Sequence, residues 1–316
     1  MTNTACPLCQ GRRLRRRLTF NSPPELTAET FSVRECRECG HLFIDPKPSA
    51  ELLTQLYKSE AYYSYLTKEE MIKGRAPVDD DRWALIRKHL SGGTIIDYSC
   101  GSGIFLSRAD RSIFNAVGVE PSLRLAEFAR DKLGLKVHAS LQELEPMDRS
   151  PEAITMWDVL EHVVEPAKAL QECAELLPSG GLLVIGVPNA GGLEVRMFGG
   201  HWLGWWTPLH LHHFKPPILR QLLNQNGFQL VEEEFIQHAG ITFESAELFL
   251  GRDSKELGIF PPRGHFRSLL PRLAIGWSPA LTERCAMACV RLIQRLTTSE
   301  QHRHRRSYLT IVARRK

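Results

Sequence analysis

Residues 94–120 constrain the fold more than any other stretch. A β-type apolar run, Thr94-Ile95-Ile96, leads into Asp97-Tyr98-Ser99-Cys100-Gly101-Ser102-Gly103. A helix-like run, Ile104-Phe105-Leu106, leaves it, and Glu120 follows the next apolar run. This order of strand, glycine turn, helix, strand and acid lets a nucleotide approach the backbone while a carboxylate about 20 residues on holds the ribose hydroxyls. The alternation continues downstream. Strands are expected at 116–120, 135–138, 153–157, 182–187 and 228–235, and helices at 104–109, 123–133, 166–177 and 218–226. Strand–helix alternation of this kind implies an α/β fold with a doubly wound parallel sheet.

The missing residues narrow the ligand. A dinucleotide fingerprint needs glycine where Leu106 stands, and the Gly-Lys-Ser/Thr of a P-loop is absent. Pyrophosphate at this helix start is therefore disfavoured. A ligand with a ribose and no phosphate, such as S-adenosylmethionine, fits better.

Near the start, Cys6-Pro7-Leu8-Cys9 and Cys36-Arg37-Glu38-Cys39-Gly40 form two Cys-x-x-Cys knuckles. Each pair puts two thiolates on one side of a tight turn, and two facing turns complete a tetrahedral site for structural zinc. Phe31-Ser32-Val33 and Leu42-Phe43-Ile44 read as short strands beside them. Cys100, Cys173, Cys285 and Cys289 form no second ligand set. Cys285 and Cys289 lie one helical turn apart and read as core.

Four segments together, Asp97-x-Ser99-x-Gly101-x-Gly103, Gly118-Val119-Glu120-Pro121-Ser122, Trp157-Asp158-Val159-Leu160-Glu161-His162-Val163, and Leu177-Pro178-Ser179-Gly180-Gly181 through Pro188-Asn189, resemble class I S-adenosylmethionine-dependent methyltransferases. The branch resembled contains ubiquinone-biosynthesis O-methyltransferases and bacterial small-molecule methyltransferases. The cysteine knuckles followed by His41-Leu42-Phe43-Ile44-Asp45-Pro46 are similar to the zinc ribbon of a subset that includes sugar C-methyltransferases. The resemblance covers about residues 6–65 and 94–235. It implies a Rossmann-like seven-stranded sheet with an N-terminal zinc ribbon and a helical insertion before the last strand. It places the cofactor's methionine part over Ser99, Cys100, Gly101 and Gly103, with Asp97 anchoring that loop and Asp158 beside it. It gives the ribose to Glu120 and the adenine to Ser140. Ser99 stands where the family usually has glycine, and Ser140 follows Ala139 where aspartate is common.

Methyl transfer from a sulfonium leaves the protein to align the acceptor and take its proton. Histidine suits that task near neutral pH. His162, after the fourth strand, and His210-Leu211-His212-His213-Phe214, after the fifth, supply the candidate bases: His162, His210 and His213. A second metal at this cluster is disfavoured, because no acid has ligand spacing there. Trp202, Trp205 and Trp206 lie among glycines. They read either as an aromatic wall for a sugar or ring, or as core-packing residues.

The expected organisation is a ribbon module at 1–45, a helical linker or lid at 46–92, a core at 93–239, an insertion at 240–303 and a final strand at 304–316. In the linker, Ser49 caps a helix with Leu52, Leu53 and Leu56 on one face. Tyr57, Tyr62, Tyr63 and Tyr65 follow as packing or as a lid, and Asp79-Asp80-Asp81 begins the next helix. Helix-like residues 267–296, with arginines from Arg263 onward, fit a dimerisation or cap element, or a basic surface resting on a membrane. The formal charge of +4 is too small to require an anionic partner. The run Arg12-Arg13-Leu14-Arg15-Arg16-Arg17 reads as a solvated surface or a phosphate-binding arm. The expected partner is a small-molecule acceptor. An RNA methyltransferase and a non-catalytic zinc-and-nucleotide scaffold are the alternatives. The start lacks an apolar signal core, so a cytoplasmic, reducing setting is expected.

Overall fold

The computed structural model describes residues 4–21, 30–237, 239–250 and 279–316. An antiparallel meander comes first: β1 (Leu14–Asn21), β2 (Thr30–Cys36) and β3 (Leu42–Asp45). The basic run is therefore largely a strand. Arg15, Arg16 and Arg17 are exposed while Phe20 is buried, and the register with β2 shifts between Arg16 and Leu18. Peripheral ion pairs of Arg17 with the half-buried Glu35 at 3.6 Å and of Arg13 with Glu38 at 3.7 Å add little stability.

Three helices follow: α1 (Ala50–Tyr57), α2 (Glu60–Thr67) and α3 (Glu69–His89). Ser49 caps α1 by accepting from the Leu52 amide at 3.1 Å, as expected. Ser59 does the same for α2 from the Tyr62 amide at 3.2 Å. The expected helix start at Asp79 is corrected, since α3 already begins at Glu69 and runs through Pro77. Proline removes one backbone donor. Beyond it Trp83, Leu85 and Ile86 are buried, with Trp83 stacked on Phe105 at 4.8 Å, and this packing outweighs one lost hydrogen bond.

The core then alternates. Its elements are β4 (Gly93–Tyr98), α4 (Ile104–Ser107), β5 (Phe114–Val119), α5 (Leu123–Leu133), β6 (Lys136–His138), β7 (Ala153–Trp157), α6 (Pro166–Leu176) and β8 (Leu182–Pro188). They are followed by α7 (Leu193–Phe198), β9 (His212–His213), α8 (Pro216–Gln225), β10 (Phe228–Ile236), α9 (Ala239–Phe249), α10 (Pro279–Thr297) and β11 (Tyr308–Arg315). The seven-stranded sheet has the order β10-β11-β8-β7-β4-β5-β6. β11 is antiparallel to both neighbours, one strand in from the edge, while β4 to β8 are parallel. All residues of β7 and β8 are buried, which is why they read as unbroken apolar runs. One face packs Ile96, Ile154 and Leu183 against Leu170 and Leu219. The other packs Ile95 and Val184 against Ile86, Leu106 and Ala126.

The expected boundary at residue 45 does not separate two units. β9 adds to the first sheet, in the order β1-β2-β3-β9, through Leu42↔His213 and Phe43↔His212. Of the expected insertion, α9 and α10 are seen, while 251–278 lie outside the described residues and with them Arg263 and Arg267. Cys285 and Cys289 pack against the cluster around Phe198 and Ile293. No described helix is long and apolar enough to cross a membrane.

Candidate functional site

A cavity of about 1210 Å³ opens at the C-terminal ends of β4, β5 and β7. This is where open α/β sheets bind ligands. Asp97, Ser99, Cys100 and Gly101 line it, with Glu120 and Asp158. Glu120 is buried and accepts from the Gly101 amide and the Ser122 amide, each at 2.8 Å. It thereby ties the glycine loop to the start of α5. Burial pushes its pKa up, while the two amides favour the charged form. Asp97 accepts from the Thr155 hydroxyl at 2.6 Å, and burial raises its pKa to about 7.

Ser99 has φ 59°, in the left-handed region where glycine is at ease. Asp158 at 57° and Trp206 at 23° share this trait, and all three line the cavity. Backbone held in such conformations concentrates at functional sites. Gly103 does not line the cavity. It starts α4 at φ 78°, and a Cβ there would lie 2.5 Å from Leu135 and 3.0 Å from Ala129. Its role is close packing of helix against helix. Ser140 precedes a short turn at 141–143 and is also absent from the lining.

The other half of the cavity holds Tyr57, Tyr62, Tyr65, His162, Trp206 and His210. His210 donates from Nδ1 to the Gly204 carbonyl at 2.8 Å, which leaves Nε2 as the acceptor. Burial lowers its pKa to about 4. His162 is engaged on Nδ1 by the Tyr57 hydroxyl at 3.0 Å, and its ring meets that of His210 edge-on at 4.5 Å. Burial, then the neighbouring His210, push its pKa well below the usual imidazole range.

Sequence reasoning assigned no role to Glu161. Its carboxylate is buried, has no hydrogen-bond partner among the described residues, and comes within 3.9 Å of His210 Nε2. Burial, then Asp158, raise its pKa well above the carboxylate range. The donor atoms of Glu161, His162 and His210 lie within 4.8 Å of one another, so the acid judged missing from this cluster is present, and the three could hold a cation. The sequence signal was an acid next to a histidine just past a buried strand. Arg82 was missed as well. It donates to Asp158 at 2.9 Å and to Asp79 at 3.2 Å, and lies 4.5 Å over the Trp157 ring.

Three expected acceptor-side residues lie elsewhere. Trp202 and Trp205 are buried against Phe198 and Ala246, and they meet edge-on at 5.1 Å. His213 sits in β9 with its ring 4.7 Å from Trp205. Trp206 alone of the three tryptophans lines the cavity.

The α1–α2 arm closes over the glycine loop. Ser102 donates to the Leu66 carbonyl at 2.8 Å. Arg124 pairs with Glu60 at 2.7 Å and stacks 3.5 Å over the Tyr63 ring. These contacts pack the arm on the core, and both readings of its tyrosines, packing and lid, are compatible with them.

The four knuckle cysteines converge as their spacing predicts. Cys6 and Cys39 sulfurs are 3.6 Å apart, those of Cys9 and Cys36 3.5 Å, and all are free thiols. Sulfurs at the corners of a zinc tetrahedron are about 3.8 Å apart and bonded ones about 2 Å. The donor set therefore fits structural zinc. Elemental analysis is expected to give about one zinc per chain, lost in Cys36→Ser. Full retention of metal in that variant would remove the assignment.

A family model for a methyltransferase domain matches residues 74–233. A ubiquinone biosynthesis O-methyltransferase of Maricaulis maris is 28% identical over 152 residues, covering 44% of this chain and 60% of that protein. One from Bradyrhizobium sp. strain ORS 278 is 25% identical over 230 residues, 69% of this chain and 87% of that protein. The chain spans 60% to 62% of the length of the first such relatives. The solved [4+2]-cyclase SpnF shares the fold, with a TM-score of 0.50 and 17% identity over 85% of this chain and 98% of that one.

Proposed function

The chain belongs to the methyltransferase-domain family, and from that premise we propose that it transfers the methyl group of S-adenosylmethionine to a hydroxyl or carbon of a ring-bearing small molecule. The observation that carries this reading is one continuous cavity, reaching from Asp97 and Glu120 to His162 and His210. At about 1210 Å³ it exceeds the usual span of single-ligand pockets, roughly 300–1,000 Å³, so cofactor and acceptor fit together.

When bound, the cofactor supplies an electrophilic sulfonium methyl. Glu120 would take the ribose hydroxyls and Asp97 the ammonium group, and Arg82, already paired with Asp158 and Asp79, would bring positive charge near the methionine carboxylate. Tyr62, Tyr65 and Trp206 flank the space left for the acceptor, and flat apolar faces of this kind suit an aromatic or sugar ring. His210 is neutral at pH 7, and its Nε2 faces the acceptor side with a free lone pair. It accepts the acceptor's proton, with the buried Glu161 carboxyl 3.9 Å from that nitrogen. His162, held by Tyr57, orients this pair. The ubiquinone-biosynthesis relatives point to hydroxyl groups as the first acceptors to try.

The test is incubation with methyl-labelled S-adenosylmethionine and fractionated cell extract, followed by mass spectrometry of labelled products. A labelled ring-bearing small molecule is expected. Label found only in RNA would overturn the acceptor assignment.

Asp97 adds a pH signature. Its free-state pKa is about 7, and the ligand's ammonium binds the ionised form. Affinity for S-adenosylmethionine is therefore expected to be highest at about pH 7.5, where the ligand's amine is still charged, and to fall about tenfold per unit below pH 7. Asp97→Asn should remove this slope, and a pH-independent Kd in the wild type would refute it.

A further inference from the structure

The cysteine-bound module touches the acceptor half of the site through buried polar contacts that no catalytic role explains. His41 lies two residues past Cys39, and its carbonyl accepts from the Cys36 amide at 2.9 Å. Its ring is fully buried and stacks on Phe43 at 6.0 Å and on His212 at 5.2 Å. His41 Nε2 and His212 Nδ1 are 2.9 Å apart. The His212 ring also faces the carbonyls of Val164 and Val163, just past His162. That contact puts the His212 proton on the far nitrogen, so Nδ1 accepts and His41 donates.

Three further ties run in parallel. The Ile44 amide donates to the Leu211 carbonyl at 3.0 Å. Lys215 pairs with Glu35 of β2 at 3.0 Å. The Leu211 and His212 amides both donate to the Glu161 carbonyl, at 2.8 and 3.0 Å. The stretch carrying His210 is therefore gripped between β3 and the Glu161–His162 turn. Asp97, Glu120 and the glycine loop lie on other strands and make none of these contacts.

We propose that the ribbon is a positioning element for the acceptor half: His41, fixed by the knuckle at Cys36–Cys39, sets His212 and thereby the placement of His210, without acting on the cofactor half. Its catalytic consequence rests on the reading that His210 faces the acceptor. His41 is a positioning residue, because it touches neither ligand space. A buried donor lost here leaves His212 unsatisfied and loosens the 209–213 stretch locally.

The experiment is hydrogen–deuterium exchange on the full zinc-loaded chain, comparing wild type, His41→Phe and His41→Gln. Phenylalanine keeps the stacking and loses the donor. Glutamine restores an N–H near Nε2. In His41→Phe the Leu211 and His212 amides are expected to exchange at least about tenfold faster. The Cys100 and Gly101 amides should keep their protection and S-adenosylmethionine its Kd within about twofold. Labelled methyl transfer to the extract acceptor should drop, and His41→Gln should recover both exchange and transfer. Unchanged exchange at 211–212 would overturn the proposal. So would equal loss at 100–101, or a His41→Gln variant as loose as His41→Phe. His210→Ala in the same assay separates the two readings. If it keeps full transfer, the assignment of His210 fails, while the exchange result still decides whether the ribbon positions this stretch.

Discussion

Glu120→Ala is expected to weaken S-adenosylmethionine binding by about 100-fold or more in titration calorimetry, close to 3 kcal/mol. Two effects combine. The carboxylate would lose both ribose hydroxyls, which are charge-assisted contacts. The Gly101 and Ser122 amides, each held at 2.8 Å, would lose their shared acceptor, so the loop and the start of α5 would no longer be tied together. Glu120→Gln keeps one acceptor oxygen and should fall between the two. A Kd within about threefold of wild type for the alanine variant would take Glu120 out of the cofactor site.

His210→Ala is expected to lower kcat by about 10²- to 10⁴-fold while leaving the cofactor Kd nearly unchanged. The asymmetry with His162 makes this a sharp test. His210 donates from Nδ1 to Gly204 and keeps Nε2 as an acceptor, whereas the His162 ring is engaged twice, by Tyr57 at Nδ1 and by the Leu209 backbone. His162→Ala should cost less, through lost orientation of its neighbour. With His210 titrating near 4, the wild-type rate should stay flat from pH 8 down to about 5 in a cofactor-saturated assay, because the base is already neutral there. Equal losses in the two alanine variants would mean that the proton passes through both rings.

The parts of this molecule legible in the sequence are those governed by local pattern. β7 and β8 are buried throughout, so Ala153–Trp157 and Leu182–Pro188 show as apolar runs. The cysteine site shows because ligand spacing is set within each knuckle. The misreadings share a cause in contacts between distant segments. β1 hides in an arginine run because exposed strand positions accept any polar residue. β9 is two residues long, and its pairing with β3 spans about 170 positions of chain, beyond any periodicity. Trp202, Trp205 and Trp206 look alike in sequence, and only packing against Phe198 and Ala246 sends two of them inward. Glu161 and Arg82 carry no motif of their own. Their importance lies in charge buried beside other charge, which exists only once strand ends and helix meet.

The arm contacts carry a kinetic consequence. Leu66, Glu60 and Tyr63 rest on Ser102 and Arg124, the same loop and helix start that would hold the cofactor. With the cofactor held there as proposed, exchange of spent for fresh cofactor would require the arm to lift, and an acceptor entering past Tyr62 and Trp206 would meet a site already loaded. Binding is then expected in a fixed order, cofactor first and its demethylated product last. The expected kinetic signature is a rapid first methylation on each loaded chain ahead of a slower steady rate, and a linear time course from the first turnover would overturn it.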